Sequence, residues 1–274
     1  MSPRKSERAS SARDGSDDAD AGGDVAGTGE TGEARETTVR IGITCRPDHA
    51  VFSTVASNLV ERGYAVTFFD CERPVSEALL ADLTLFVSKK TRPASIETLL
   101  RAERLGVPTW NSATGVLACV SRFSQLCVLE GVGFAVPAVS RTKPDGDYVA
   151  KNRFHWNMSP ELNGEGDLYE EYLPAAKVDY KYYVVDDGER LHAHVLRATS
   201  KLFGEKRVVG EAEPLAEHVE RIGDLMERLE MRAVGVDLVL VDDDWYAVDL
   251  NPCPSFRGTE LEHALTDSIV DCLP

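Results

Sequence analysis

The segment VGVDLVLVDDDWYAVDLNPCPSFRG, near the C-terminus, reads as a β-hairpin that aims two carboxylates and an amide at one spot. With the turn at Asp242, Asp243 and Asp244, Asp237 faces Asp249 across the strands. Asn251, two residues on, emerges on the same face. A two-residue turn would instead put Asp237 and Asp249 on opposite faces. Most other hairpin positions are apolar, so burial on both faces is expected. Opposed side chains sit about 5 Å apart. Two unit charges at that distance repel by about 3 kcal/mol at an effective dielectric of about 20. A hard cation bound by oxygens removes this penalty, and Asp, Asp and Asn suit Mg²⁺ or Mn²⁺. The competing reading is a hairpin whose acids are solvated at its rim.

The chain of 274 residues is long enough for one large domain or two small ones. Its net charge of −16 and pI near 4.8 argue against nucleic-acid binding. Acidity with sparse lysine is halophile-like. There is no apolar run long enough to span a membrane and no apolar signal core, so the expected setting is cytoplasmic. The six cysteines form no C-x-x-C pair and read as reduced small hydrophobes. A reactive thiol at Cys253 is disfavoured by its acidic surroundings.

Residues 1–38 are Ser, Gly, Ala and acids, and are expected to form a disordered tail. From Val39 a β-α-β-(α)-β-α-β alternation predicts a small parallel sheet over 39–111. Within it a helix opens at Ser95 and closes at Gly106. One long helix is predicted over 112–130. Paired strands follow: YVAKNRF, DLYEEYLP, and DYKYYVVDDGERLHAHVLRA, a hairpin around Asp187-Gly188. A helix over 213–231 precedes the acidic hairpin, and the last helix carries a capping-box pattern, Thr259 and Glu262. The fold class is thus α/β: a parallel-sheet N-terminal domain, then two antiparallel-sheet subdomains around a cleft.

Four features bear on chemistry. Lys151 lies in an apolar strand, where a buried ammonium needs an anion such as phosphate. YEEYLP leaves its strand at Pro174, exposing backbone groups that can bond an adenine edge. Asp179 and Lys181 share a strand face and suit either a salt bridge or ribose and phosphate contacts. Arg197, Lys201, Lys206 and Arg207 concentrate positive charge in an acidic chain. His192 and His194 have no third ligand nearby and read as strand residues rather than a zinc site. There is no G-x-G-x-x-G after the first strand, no P-loop and no G-x-S-x-G.

The order VPTWNS, helix, VAK, EEY, DYKYYVV, GVDLVLVDDDWYAVDLNPCPSFRG resembles the ATP-grasp superfamily over residues 40–262, most of all its RimK-like carboxylate–amine ligases. YKYYVV and VDLNPCPSFRG are similar also to the inositol phosphate kinases of that fold. The resemblance implies an ATP-grasp domain over 112–274, with ATP and Mg²⁺ (or Mn²⁺) as cofactors. It implies a carboxylate, small or peptide-borne, as acceptor, and an amine. It places Lys151 on phosphate and Glu171, Tyr172 and Leu173, with Glu170 beside them, at the adenine hinge. It places Asp179 and Lys181 near ribose and phosphate, Arg197 and Lys201 on the transferred phosphoryl group, and Asp237, Asp249 and Asn251 on the metal. Arg257 and Gly258 fall where substrate binds, at a helix N-terminus that favours an anion. Two departures stand out. The central helix reads SRFSQL where relatives carry an Arg-Asp-Lys stretch, so its phosphate-binding lysine is missing. The phosphate loop NRFHWNMSPELNGEGDLY is short, with only Gly164 and Gly166. These losses keep open a nucleotide-binding protein without turnover as an alternative to the ligase, and the kinase-like segments keep open a small-molecule kinase.

Overall fold

The computed structural model describes residues 38–154 and 159–274; the expected N-terminal tail lies outside them. The first sheet holds β1 (Arg40–Thr44), β2 (Ala65–Phe69), β3 (Leu85–Val87) and β4 (Thr109–Trp110), all parallel, in the order β2-β1-β3-β4. Its helices are α1 (Phe52–Glu61), α2 (Glu77–Ala81) and α3 (Pro93–Arg104). Strand alternation divides the two faces. Ile41, Ile43, Leu85 and Val87 pack with α1, whereas Phe86 packs with Leu80 and Leu99 of α2 and α3. Helix α3 begins two residues before Ser95, because Pro93 takes the first helical position, where a missing N–H costs nothing. Ser95 instead donates to Cys71 O at 3.1 Å.

The helix predicted over 112–130 is two helices, α4 (Ala113–Ala118) and α5 (Arg122–Gly131). Each has its own serine cap: Ser112 accepts from Gly115 N, and Ser121 from Ser124 N. A small antiparallel sheet follows: β5 (Val139–Ser140), β6 (Tyr148–Lys151), β7 (Glu161–Leu162) and β8 (Leu168–Glu171), in the order β5-β8-β6-β7. The third sheet is antiparallel and comprises β9 (Val178–Asp186), β10 (Leu191–Thr199), β11 (Val208–Ala212), β12 (Ala233–Val241) and β13 (Asp244–Asn251), in the order β11-β10-β9-β12-β13. Helix α6 (Ala216–Arg228) precedes β12, and α7 (Glu262–Asp271) follows β13.

The third sheet is covered on both faces, which explains its apolar strands. Tyr182, Val184, Val236 and Leu250 pack with α5 and α6. Tyr183, Val185 and Ala233 join Ile43, Trp110 and Ile269 in one core shared with the first sheet and α7. The boundary drawn between 39–111 and 112–274 therefore separates sheets, not cores. Residues 38–274 form one compact unit.

Buried Asn111 staples this junction. Its Nδ2 donates to Ala233 O and Pro252 O, both at 2.8 Å, while its Oδ1 accepts from Arg232 N and Ala233 N. It thereby ties the end of β4 to the start of β12 and to the segment leaving β13. A buried backbone group left without a partner costs about 1–3 kcal/mol. Asn111→Ala is accordingly expected to lower the unfolding free energy by roughly 3 kcal/mol or more, read from urea unfolding curves.

Candidate functional site

The acidic hairpin reaches its expected pairing by an unexpected route. Its turn has two residues, Asp242 and Asp243, both at positive φ, the mirror-image turn that matches strand twist. Val241 therefore pairs with Asp244, and Asp237 should oppose Val248. A β-bulge between Asp237 and Leu238 shifts the register by one, so Asp237 opposes Asp249 and Gly235 opposes Asn251. On its other side Asp237 pairs with Lys181 of β9. Lys181, Asp237 and Asp249 thus form one row across three strands, on the face that carries Asp179.

That face forms one wall of a cleft of about 370 Å³; the small sheet forms the other. Of the sequence-predicted residues, Lys151, Glu170, Glu171, Tyr172, Leu173, Asp179, Lys181, Lys201, Asp237, Asp249 and Asn251 line it. Arg197 does not. It pairs with Tyr180, one residue out of phase with Lys181, and its guanidinium lies exposed over the Tyr180 ring. Arg257 and Gly258 also lie off the cleft lining. They are not at a helix N-terminus either: α7 begins at Glu262, after a turn in which Phe256, Gly258 and Glu260 all have positive φ. The capping box does not form, because Thr259 donates to Phe256 O at 2.8 Å.

Most charges in the cleft centre are answered. Lys181 bonds Asp237 and lies 3.7 Å from Asp179. Burial works against its ammonium, yet the Asp237, Asp179 and Asp249 carboxylates hold its pKa above the ordinary value. Burial, aided by Asp237, raises the Asp179 carboxyl despite Lys181. Burial would also raise Asp249, but Arg122, Lys151, Lys181 and Lys201 outweigh it and hold that carboxyl below its usual range. On the opposite wall Lys151 is 2.5 Å from Glu170 and donates to Val248 O at 3.0 Å. Glu170 is only 3% exposed, and its second oxygen has no hydrogen-bond partner among the described residues.

Arg122 is the residue that sequence reasoning missed. It sits at the first position of α5, just after the helix break, and its guanidinium bonds Asp249 Oδ1 at 2.8 Å. The available signal was Ser121, a helix cap inside the predicted long helix. Gly166 serves a different need from loop flexibility. A Cβ there would meet Lys151 O at 2.5 Å, so glycine lets the returning chain cross closely over β6. Part of the expected phosphate loop, 155–158, lies outside the described residues. Burial, against nearby Lys89 and Lys90, pushes the Cys253 thiol up to about 11, so burial and not acidic surroundings is what disfavours a reactive thiol there.

Two carboxylates and an amide oxygen on one face suit a hard divalent cation. Asn251 Oδ1 already accepts from Cys253 N at 2.9 Å, which orients it. Lys181 and Arg122 now hold the charge that such an ion would balance.

No family model matches the sequence, nor does any curated protein. Solved structures do match. A RimK domain protein ATP-grasp from Sphaerobacter thermophilus superposes with a TM-score of 0.67 at 14% identity, over 86% of this chain and 99% of that one. The ATP-grasp ligase PsnB, complexed with a phosphomimetic variant of minimal precursor, Mg and ADP, gives 0.63 at 19% identity, over 86% and 98%. The macrocyclase MdnC from Microcystis aeruginosa, bound with precursor peptide MdnA, gives 0.61 at 10% identity, over 85% and 99%. The chain has an ATP-grasp fold. The α/β class and the three-sheet arrangement expected from the sequence agree with it.

With Arg122→Met the largest opposing charge is gone, and the Asp249 pKa is expected to rise above its wild-type value. Carbon-detected NMR titration of the carboxyl reads this directly. In the wild type, a depressed carboxyl favours the folded state above the ordinary carboxylate range of about 3.9 and loses that contribution as pH falls through its own pKa. The variant should therefore lose less stability on acidification.

Proposed function

We propose that the chain is an Mg-ATP-dependent carboxylate–amine ligase of the RimK-like kind. The observation that carries this reading is the Lys181–Asp237–Asp249 row facing Lys151 and Glu170 across one cleft. In this reading the adenine lies against Tyr172 and Leu173, where β8 ends and backbone groups are free of the ladder. The unpartnered oxygen of Glu170 accepts from the adenine amino group, which relieves an otherwise costly orphan. Asp237, Asp249 and Asn251 hold Mg²⁺, which supplies charge neutralisation at the phosphates.

Lys201 and Arg122 stabilise charge on the γ-phosphoryl group, while Lys151, 2.5 Å from Glu170, neutralises the phosphate nearest the adenine. Arg122 supplies, from the start of α5, positive charge that the missing helix lysine would have carried. This favours turnover over a binding protein that has lost it. An acceptor carboxylate oxygen attacks the γ-phosphorus as the bond to the ADP oxygen breaks, giving an acylphosphate and ADP. The amine nitrogen then attacks the carbonyl carbon; phosphate leaves, and the nitrogen loses a proton to form the amide. PsnB and MdnC, which are bound with precursors, make a peptide-borne carboxylate a reasonable acceptor here. All six cysteines are free thiols, in keeping with a reducing, cytoplasmic setting. Among the described residues no helix is long and apolar enough to cross a membrane.

The test incubates purified protein with Mg-ATP and pooled amino acids and peptides, and reads ADP, free phosphate and new amide by mass spectrometry. Stoichiometric phosphate and amide support a ligase. ADP with a phosphorylated acceptor and no free phosphate would make it a kinase. Lys151→Met is expected to lower kcat by roughly 10²–10³-fold, and Asp249→Ala to reduce it to background. Full activity in Asp249→Ala would refute the metal assignment.

A further inference from the structure

In a chain of net charge −16, one cluster of cations beside the cleft is answered by few acids. The loop after β1 brings Arg46 and His49, the segment after β3 brings Lys89 and Lys90, and the loop after β13 brings Arg257. Lys89 is the telling residue. It is 2% exposed, yet among the described residues its ammonium meets only a backbone carbonyl, Cys253 O at 2.7 Å, and the Phe52 ring at 5.4 Å. The other two buried lysines each have a carboxylate: Glu170 for Lys151 and Asp237 for Lys181. Among the described residues no acid forms an ion pair with Lys89, Lys90 or Arg257, and Arg46 has only Asp48, at 3.4 Å on the exposed rim. A buried ammonium without an anion is costly, so its retention needs a reason.

The surroundings agree. Burial pushes the Lys89 ammonium down to about 8, with Lys90 adding to the effect. Burial, then Lys89, Lys90, Arg257 and Arg46, pushes His49 down to about 4, and the Phe52 ring contacts both the His49 ring, at 5.6 Å between centroids, and the Lys89 ammonium. His49 Nδ1 accepts from Val51 N and Phe52 N, both at 3.3 Å, so Nε2 carries the proton and is a donor. The cluster adjoins the cleft by two chain connections. Thr91, next to Lys90, lines the cleft, as do Asn251 and Pro252, which lead into Cys253. It also lies at the carboxyl ends of β1 and β3, where parallel sheets take ligands.

We propose that His49, Lys89, Lys90 and Arg257, with Arg46 at the rim, form an anion subsite distinct from the phosphate-facing lysines, and that it holds a carboxylate of the acceptor. The acceptor's role rests on the ligase reading; the binding of an anion does not. The experiment uses the full chain at low salt with saturating Mg²⁺ and ADP, so that the cleft is filled. Tricarballylate and a capped triglutamate peptide are titrated calorimetrically, and the His49 ring resonances are followed by NMR. Wild type should bind at least one probe, with His49 shifting. Binding of tricarballylate alone marks a small acid as acceptor, and binding of the peptide alone a peptide side chain. The Lys90→Gln/Arg257→Gln double variant, changed only at side chains that are not buried, should bind at least about tenfold more weakly with ADP affinity unchanged. Arg207→Gln, a cation elsewhere, should bind as wild type does. No binding of either probe, equal affinity in the double variant, or an unmoved His49 overturns the proposal. If ADP itself fails to bind, the nucleotide reading falls, while the same titrations without nucleotide still decide the subsite.

Discussion

Two carboxylates facing each other across a mostly apolar hairpin set the terms for this molecule. Asp237 and Asp249 repel each other there unless positive charge lies nearby. The structure supplies it from two directions: Lys181, one strand over, and Arg122, from a helix start. The second depends on a single bulge near Val248, which puts Asp249 on the face of Asp237. Without it the two-residue turn would send Asp249 to the α5–α6 face, where Leu250 and Val236 belong. The Arg122–Asp249 pair and the β13 edge of the cleft wall follow from that one extra residue.

The same sheet explains how a site can sit beside a dense core. At one end of β9, Tyr183 and Val185 share a core with the first sheet and α7. Two to four residues earlier, on the same face, Asp179 and Lys181 look into the cleft. The face changes from core to site where the first sheet stops covering it. Asn111 fixes that limit by binding backbone groups of β12 and of the chain leaving β13. A polar residue is affordable there because it satisfies four backbone partners at once.

Charge is distributed with similar economy. Lys151, Lys181 and Arg122 in the cleft are each matched by an acid, so little net charge is left on them when the cleft holds no ligand. The cations around His49 are largely unmatched. Matched pairs can be exchanged for a metal and phosphates, whereas unmatched ones attract an anion directly. The two groups thus point to two kinds of ligand chemistry within one chain.

The hairpin and the main strands were readable in the sequence, because period-two alternation and turn residues act locally, while most cleft residues were named through the family resemblance. Lys151, Lys181, Asp237 and Asp249 stood out as charges inside apolar strands, a contrast that needs no coordinates. Other features depended on contacts distant in the chain. The bulge left no mark in composition, so the facing of Asp237 and Asp249 was expected from a turn that does not exist. Arg197 looked equivalent to Lys201 until register placed it on the other face. Ser121 ended one helix and began another, and only the packing of α5 against β13 brought Arg122 to Asp249. Local pattern determined which residues had to be strands and which charges were anomalous; tertiary packing decided which anomalies meet, because register and helix breaks are set by partners far away in the chain.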